Sequence, residues 1–146
     1  IDLAGDINAS MPSYIVKKCQ ELLNKNDKPL NKSKILILGI AYKKDIDDMR
    51  ESPSLEIMSN LLDHGANVEF YDPLIKKIPS LREYPSFLNI ERTDMDKNNY
   101  GDYDLVLICT DHSNYRIDKI IKESKLLLDT RNCLPKDAYN EKIVKA

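Results

Sequence analysis

The sequence is poor in the features that mark several large classes of protein. Its 22 lysine and arginine residues are outnumbered by 24 aspartate and glutamate residues, for a net charge of −2. There is no basic excess to neutralise a phosphate backbone, which argues against nucleic acid as a partner. Long apolar runs are missing too: the longest, Ile35 to Tyr42, is far short of the ~20 residues that cross a bilayer. No charged-then-apolar leader opens the chain, so a protein that is neither membrane-bound nor secreted is expected. Three cysteines, Cys19, Cys109 and Cys133, form no CxxC pair. Neither a disulfide framework nor a metal cluster is expected from them, and a reducing cytoplasm is the expected setting. Glycine is scarce, with four residues, and none falls in a GxGxxG string, so the turn that cradles a dinucleotide pyrophosphate is absent. The first residue is Ile1 rather than methionine, which points to a piece of a longer protein. What remains is 146 residues, 42% hydrophobic and 32% charged, enough for one domain with a modest tail.

Ile7, Met11, Ile15, Cys19, Leu22 and Leu23 recur at steps of three or four, which predicts an amphipathic helix within residues 1–24, with Pro12 as a kink or a fresh start. Residues 25–33, polar and carrying Pro29, read as a linker that leaves this helix outside the main domain, 34–146. Within that domain Lys34–Tyr42 reads as a strand buried on both faces. Ser52 is a good N-cap and Pro53 a good first residue for a helix with Leu55, Ile57, Met58, Leu61 and Leu62 on its apolar face, ending at Gly65. Asn67–Tyr71 reads as the next strand. The stretch Leu74–Asp104, broken by Pro79, Pro85 and Gly101, yields no assignment. Beyond it Leu105–Thr110 reads as a strand, Ile117–Lys122 as a short helix and Leu126–Asp129 as the last strand. The alternation predicts an α/β, Rossmann-like parallel sheet flanked by helices and preceded by the long amphipathic helix.

Ligands of open α/β sheets bind at the carboxyl ends of the strands. Three places qualify: the charged loop Tyr42–Glu51, the Asp111-His112-Ser113 segment, and Thr130-Arg131-Asn132. A lysine and an arginine at neighbouring strand ends can grip a phosphate or sugar hydroxyl with side chains, lysine as a point charge and arginine as a fork. The simpler alternative is a solvated loop in which Lys43, Lys44 and Arg50 pair with Asp45, Asp47, Asp48 and Glu51, and composition alone favours it. His64 suits a helix end. His112 stands at a strand end without a nucleophile placed beside it. Cys109 reads as a small buried hydrophobe, and nothing marks Cys133 as activated. No catalytic residue is assigned.

The string Gly39-Ile-Ala-Tyr-Lys-Lys-Asp-Ile-Asp-Asp-Met-Arg-Glu-Ser-Pro-Ser, with Gly65-Ala66, Tyr71-Asp72-Pro73, Thr110-Asp111-His112-Ser113 and Asp129-Thr130-Arg131-Asn132, resembles the carboxyl-terminal domain of the UDP-glucose/GDP-mannose dehydrogenase family. Leu3 to Asn8 with Ser10-Met11-Pro12 is similar to the start of that family's central helix. The Asp-Ile-Asp-Asp variant and the last two segments look most like the UDP-N-acetylglucosamine 6-dehydrogenase branch. The resemblance implies a UDP-sugar partner and NAD as cofactor, with NAD held mainly by a domain that these residues do not contain. It implies oxidation of a sugar C6 alcohol to a carboxylate, in which this part covers the nucleotide sugar. It also implies substrate contacts at Tyr42, Lys43 and Arg131, an NAD contact at Arg50, and a homodimer through helix 7–23. UDP-glucose or UDP-N-acetylmannosamine is the alternative substrate, and a non-catalytic Rossmann-like binding module is the alternative of another class.

Overall fold

Short runs of isoleucine, leucine and valine build the sheet. The computed structural model describes residues 3–146, with side chains from Met11 onward, so Ile7 as a member of the helical stripe lies outside the described side chains. It contains strands β1 (Lys34–Leu38), β2 (Asn67–Tyr71), β3 (Leu105–Ile108), β4 (Leu127–Asp129) and β5 (Ile143–Lys145), and helices α1 (Leu3–Lys25), α2 (Pro53–Asp63) and α3 (Ile117–Glu123). The strands are all parallel and lie in the order β2-β1-β3-β4-β5. Successive side chains of a strand point to opposite faces, and here each face has its own core. Ile35, Ile37, Leu105, Leu107 and Leu128 pack in the layer that holds Ile15, Cys19, Leu55 and Leu61 of α1 and α2. Leu36, Leu38, Val106, Ile108 and Leu127 pack in the layer that holds Tyr100, Tyr103, Tyr115 and Ile120. Covering both faces is what makes the central strands read as unbroken apolar runs.

Helix α2 has the expected punctuation. Ser52 Oγ accepts from Ser54 N–H at 3.3 Å, and Pro53 occupies the first turn, where its missing N–H costs nothing. At the other end Gly65 has φ of 85° and a side chain there would collide with Asn31, so glycine ends the helix.

Four expectations are corrected. The first strand stops at Leu38 rather than Tyr42, because Gly39 (φ 88°) turns the chain out of the ladder while Ile40 and Ala41 stay buried as loop. The third stops at Ile108, where Cys109 and Thr110 N–H groups converge on the Leu38 carbonyl at 2.9 and 3.2 Å. The strand β4 is not the last, since β5 adds to its free edge. Finally, α1 runs through Pro12 to Lys25 and is not outside the core: Ile15, Val16, Cys19, Leu22 and Leu23 are all buried. Residues 25–33 are tied down rather than free, with Leu30 buried, Lys28 paired with Asp104 and Lys32 N–H bonded to the Gly65 carbonyl at 2.8 Å. The stripe needed an apolar partner, and α2 of the same chain supplies it. An uncovered stripe therefore no longer argues for pairing between chains.

Between β2 and β3, where the sequence gives no assignment, lie an isolated bridge between Lys77 and Glu91 and two short turns of 3₁₀ helix, Pro85–Phe87 and Tyr100–Asp102. Ile75, Ile78 and Phe87 of this segment close the α1/α2 layer.

Candidate ligand cleft at the switch point of the sheet

From β1 the chain crosses to β2 on one side, while β3 lies on the other. The loops that leave β1 and β3 therefore diverge and open a crevice at their carboxyl ends, where a doubly wound sheet takes its ligand. Gly39 starts the first of these loops. A Cβ there would overlap Thr110 and approach Tyr115 Oη at 2.7 Å, so this glycine allows close packing of two loops and leaves no open cradle.

Residues 40–52 have no regular ladder, and a few bonds give them their shape. Ile40 N–H donates to Asp72 Oδ2 at 3.0 Å. Thr110 Oγ1 and Ser52 Oγ both donate to the Ala41 carbonyl, at 2.9 and 3.2 Å. Tyr42 N–H reaches the Asp48 carbonyl at 2.7 Å. Further along, Asp45 N–H donates to His112 Nδ1 at 2.9 Å, and His112 Nε2 lies 3.0 Å from Asp72 Oδ2. A backbone amide can only donate, so Nδ1 accepts and the ring proton sits on Nε2, facing the carboxylate. Asp45 takes the left-handed conformation at φ 60°, which a short polar side chain tolerates better than most. Its carboxylate accepts from Ser113 Oγ and Ser113 N–H, and these two bonds, the hydroxyl first, hold its pKa below the ordinary carboxylate value.

A cleft of about 1210 Å³ lies against this loop and the amino end of α2. Its walls include all four residues singled out by the sequence: Tyr42, Lys43, Arg50 and Arg131. Tyr42 exposes 49% of its surface there. Neither Lys43 nor Lys44 forms an ion pair among the described residues. Arg50 differs, since its Nε and Nη2 fork onto Asp48 at 3.1 and 3.0 Å with the side chain 84% exposed. The solvated-pair alternative thus describes Arg50 and Asp48 and leaves Lys43 free. Arg131 donates its Nε to the Cys109 carbonyl at 2.8 Å, an anchorage that orients the guanidinium plane and leaves its two Nη groups for a ligand. Its own backbone is set by Asp129, a buried carboxylate that accepts from Arg131, Cys133 and Leu134 N–H and from Tyr139 Oη. A lysine point charge, an oriented guanidinium and a nearby helix amino end suit a phosphate-bearing ligand.

The thiols are poor nucleophiles. Cys109 reaches the cleft wall but is only 3% exposed, and burial pushes its pKa up to about 12. Burial and the neighbouring Asp129 push Cys133 to about 12 as well. His64 lies at the end of α2, bonded through Nδ1 to its own helix at the Asn60 carbonyl, 2.7 Å away, in keeping with a structural role. Among the described residues no cluster of histidine, cysteine or carboxylate side chains is placed to hold a metal ion, and no helix is long and apolar enough to cross a membrane. Sequence reasoning missed Asp72 and Asp129, whose signal was an aspartate directly after an apolar run. It also missed the wall Ser80–Tyr84, which comes from the unassigned segment.

Comparison with known proteins puts this cleft in context. The model of the UDP-glucose/GDP-mannose dehydrogenase family, UDP binding domain, matches residues 36–136, a span that includes the loops after β1, β3 and β4. The chain belongs to that family. The UDP-glucose/GDP-mannose dehydrogenase relatives include the UDP-N-acetyl-D-mannosamine dehydrogenase of Methanocaldococcus jannaschii, 30% identical over 149 residues, covering 97% of this chain and 31% of the relative. The UDP-glucose 6-dehydrogenase of Rickettsia bellii is 31% identical over 136 residues, covering 89% and 30%. Among solved structures of the family, the NDP-N-acetyl-D-galactosaminuronic acid dehydrogenase of Methanosarcina mazei superposes with a TM-score of 0.77 at 26% identity, over 99% of this chain and 30% of that one. The chain thus spans less than a third of the length of these relatives. The expected family and the α/β, Rossmann-like fold are both met, and the relatives' names differ in the sugar.

Proposed function

We propose that this domain binds the UDP moiety of a UDP-N-acetylhexosamine, N-acetylglucosamine first, within a longer NAD-dependent dehydrogenase that oxidises the sugar C6 alcohol to a carboxylate. The observation that carries this reading is the convergence of Tyr42, Lys43 and Arg131 on one cleft at the switch point of a family UDP binding domain. In this reading Arg131, oriented by the Cys109 carbonyl, offers its Nη pair to the diphosphate as a fork. Lys43 supplies a compact charge to a phosphate or hydroxyl oxygen, and Tyr42 covers the ligand from the solvent side. The residues do not fit the whole of NAD, because Gly39 is packed against Thr110 and leaves no pyrophosphate cradle. The family resemblance puts this domain's contact with NAD at Arg50, an exposed residue of the cleft wall, and no step of the oxidation is assigned to these residues. Pairing of two chains would use the face of α1 that carries Tyr14, 41% exposed and outside the cleft lining. The buried free thiols Cys19 and Cys109 are consistent with a cytoplasmic setting.

N-acetylmannosamine is the second candidate sugar, favoured by the name of the Methanocaldococcus jannaschii relative. Calorimetric titration with UDP tests the binding reading, with saturable binding as the expected result and its absence as the refutation. Full-length protein assayed for NADH formation with UDP-N-acetylglucosamine, UDP-N-acetylmannosamine and UDP-glucose distinguishes the sugars. Preference for UDP-glucose would overturn the N-acetylhexosamine part.

A further inference from the structure

We propose that His112 is a positioning residue that holds Lys43 in the cleft through the backbone of Asp45. The inference rests on the UDP-binding reading above. Lys43 makes no hydrogen bond of its own among the described residues, so its place depends on the tethers to either side. On one side Tyr42 N–H is held by the Asp48 carbonyl. On the other, two residues along, Asp45 N–H is held by His112 Nδ1. The imidazole is wholly buried, with 0% of its side chain exposed, yet it is not an apolar filler, because both nitrogens are engaged. Its Nε2 donates to Asp72 Oδ2, the oxygen that also receives Ile40 N–H. One carboxylate at the end of β2 thus fixes the start of the loop directly and its middle through the histidine. Ser113, the next residue, closes the clasp by donating its N–H and Oγ to the Asp45 carboxylate. The edge of the ring also rests on Tyr115, with centroids 5.8 Å apart, so it has little room to turn.

The two ends of the imidazole can be cut separately in the full-length protein. A glutamine amide reaches the place of Nε2, so His112→Gln keeps a donor for Asp72 and loses the acceptor for Asp45. An asparagine oxygen reaches the place of Nδ1, so His112→Asn does the reverse. We expect His112→Gln to weaken UDP binding roughly tenfold, because the ligand must then order the loop itself. His112→Asn is expected to lose thermal stability while binding UDP within about twofold of the parent, since its loss falls on the buried Asp72. In a Lys43→Ala background the effect of His112→Gln should vanish, as a double-mutant cycle requires of coupled groups. Exposed Ser113→Ala, which carries little folding risk, removes the hydroxyl bond of the clasp and keeps its backbone N–H bond to Asp45. It should weaken UDP binding about two- to threefold, again only while Lys43 is present. Affinity losses that follow stability in both histidine variants, or that persist without Lys43, overturn the proposal. A parent that fails to bind UDP refutes the underlying function. A parent that binds, with His112→Gln and Ser113→Ala binding equally well, refutes the positioning role alone.

Discussion

Replacing Asp129 should loosen the turn that carries Arg131, and the cost follows from the donors around it. Oδ2 accepts from Cys133 N–H at 2.9 Å, Leu134 N–H at 3.2 Å and Tyr139 Oη at 2.8 Å, while Oδ1 accepts from Arg131 N–H at 2.9 Å. In Asp129→Asn the amide oxygen can serve the crowded side, but the NH₂ group then meets Arg131 N–H donor to donor. One bond to a carboxylate is lost, and bonds of that kind contribute about 1.5–3 kcal/mol each. The other three lose the benefit of a full charge. We expect a net loss of about 2–3 kcal/mol, a fall in Tm of roughly 5–10 °C for a chain of this size. Asp129→Ala leaves the three backbone donors without an acceptor, while Tyr139 Oη keeps Asn132 Oδ1 at 3.3 Å, and about 4 kcal/mol is expected after the turn relaxes. Urea unfolding with an unchanged m-value measures both. An asparagine variant within about 0.5 kcal/mol of the parent would show that the turn holds itself and that the carboxylate is not its organiser.

Lys43→Ala should weaken UDP binding by roughly 10- to 150-fold, the equivalent of one charge-assisted hydrogen bond of about 1.5–3 kcal/mol. Lys44→Ala should leave it nearly unchanged, so equal effects in calorimetry would return the loop to solvated charge. The 146 residues alone should not reduce NAD with any nucleotide sugar, as followed by NADH absorbance, since they hold neither a glycine cradle nor an activated thiol; sustained turnover would refute this. Asp45 has its folded pKa lowered by Ser113, so its clasp should be fully present above the ordinary unfolded value near pH 4 and lost as the pH falls through the lower folded value. The Ser113 amide resonance should therefore hold steady from neutral pH to about pH 4 and move only below it. Movement centred well above that would contradict the lowered pKa.

What could be read from the sequence was what depends on local pattern. The apolar runs at β1, β3 and β4 stand out because both faces of the sheet are covered there, and α2 is bracketed by Ser52-Pro53 and Gly65, whose capping geometry is intrinsic. Strand ends were overrun wherever a loop stays buried, as at Ile40 and Ala41, because burial and not pairing sets hydrophobicity. The three-residue β5 is too short to carry a period. For α1 the stripe announced a need for cover and could not say that α2 provides it. Strand ends marked the loops after β1 and β4 as places for a ligand, but it was the family resemblance, not the local pattern, that singled out Tyr42, Lys43, Arg50 and Arg131 within them. The wall Ser80–Tyr84 and the tie from His112 to Asp45 were not found, since each joins positions far apart in the chain.

The spatial order of the strands also bears on how the chain is made. β1 pairs with β2 soon after both have been synthesised, but its other edge pairs with β3, which comes much later. At about 5–20 residues per second, the stretch between β1 and β3 takes roughly 3–13 s to emerge. Throughout that interval the side of Lys34–Leu38 that will meet Leu105–Ile108 is an open row of amides and carbonyls on a strand of isoleucine and leucine. Such an edge can recruit any extended apolar segment. A nascent chain halted before β3 should therefore be the species most prone to aggregate and the one with most need of a chaperone. Once Leu105–Ile108 has docked, β1 is paired along both sides and its exposed row is gone.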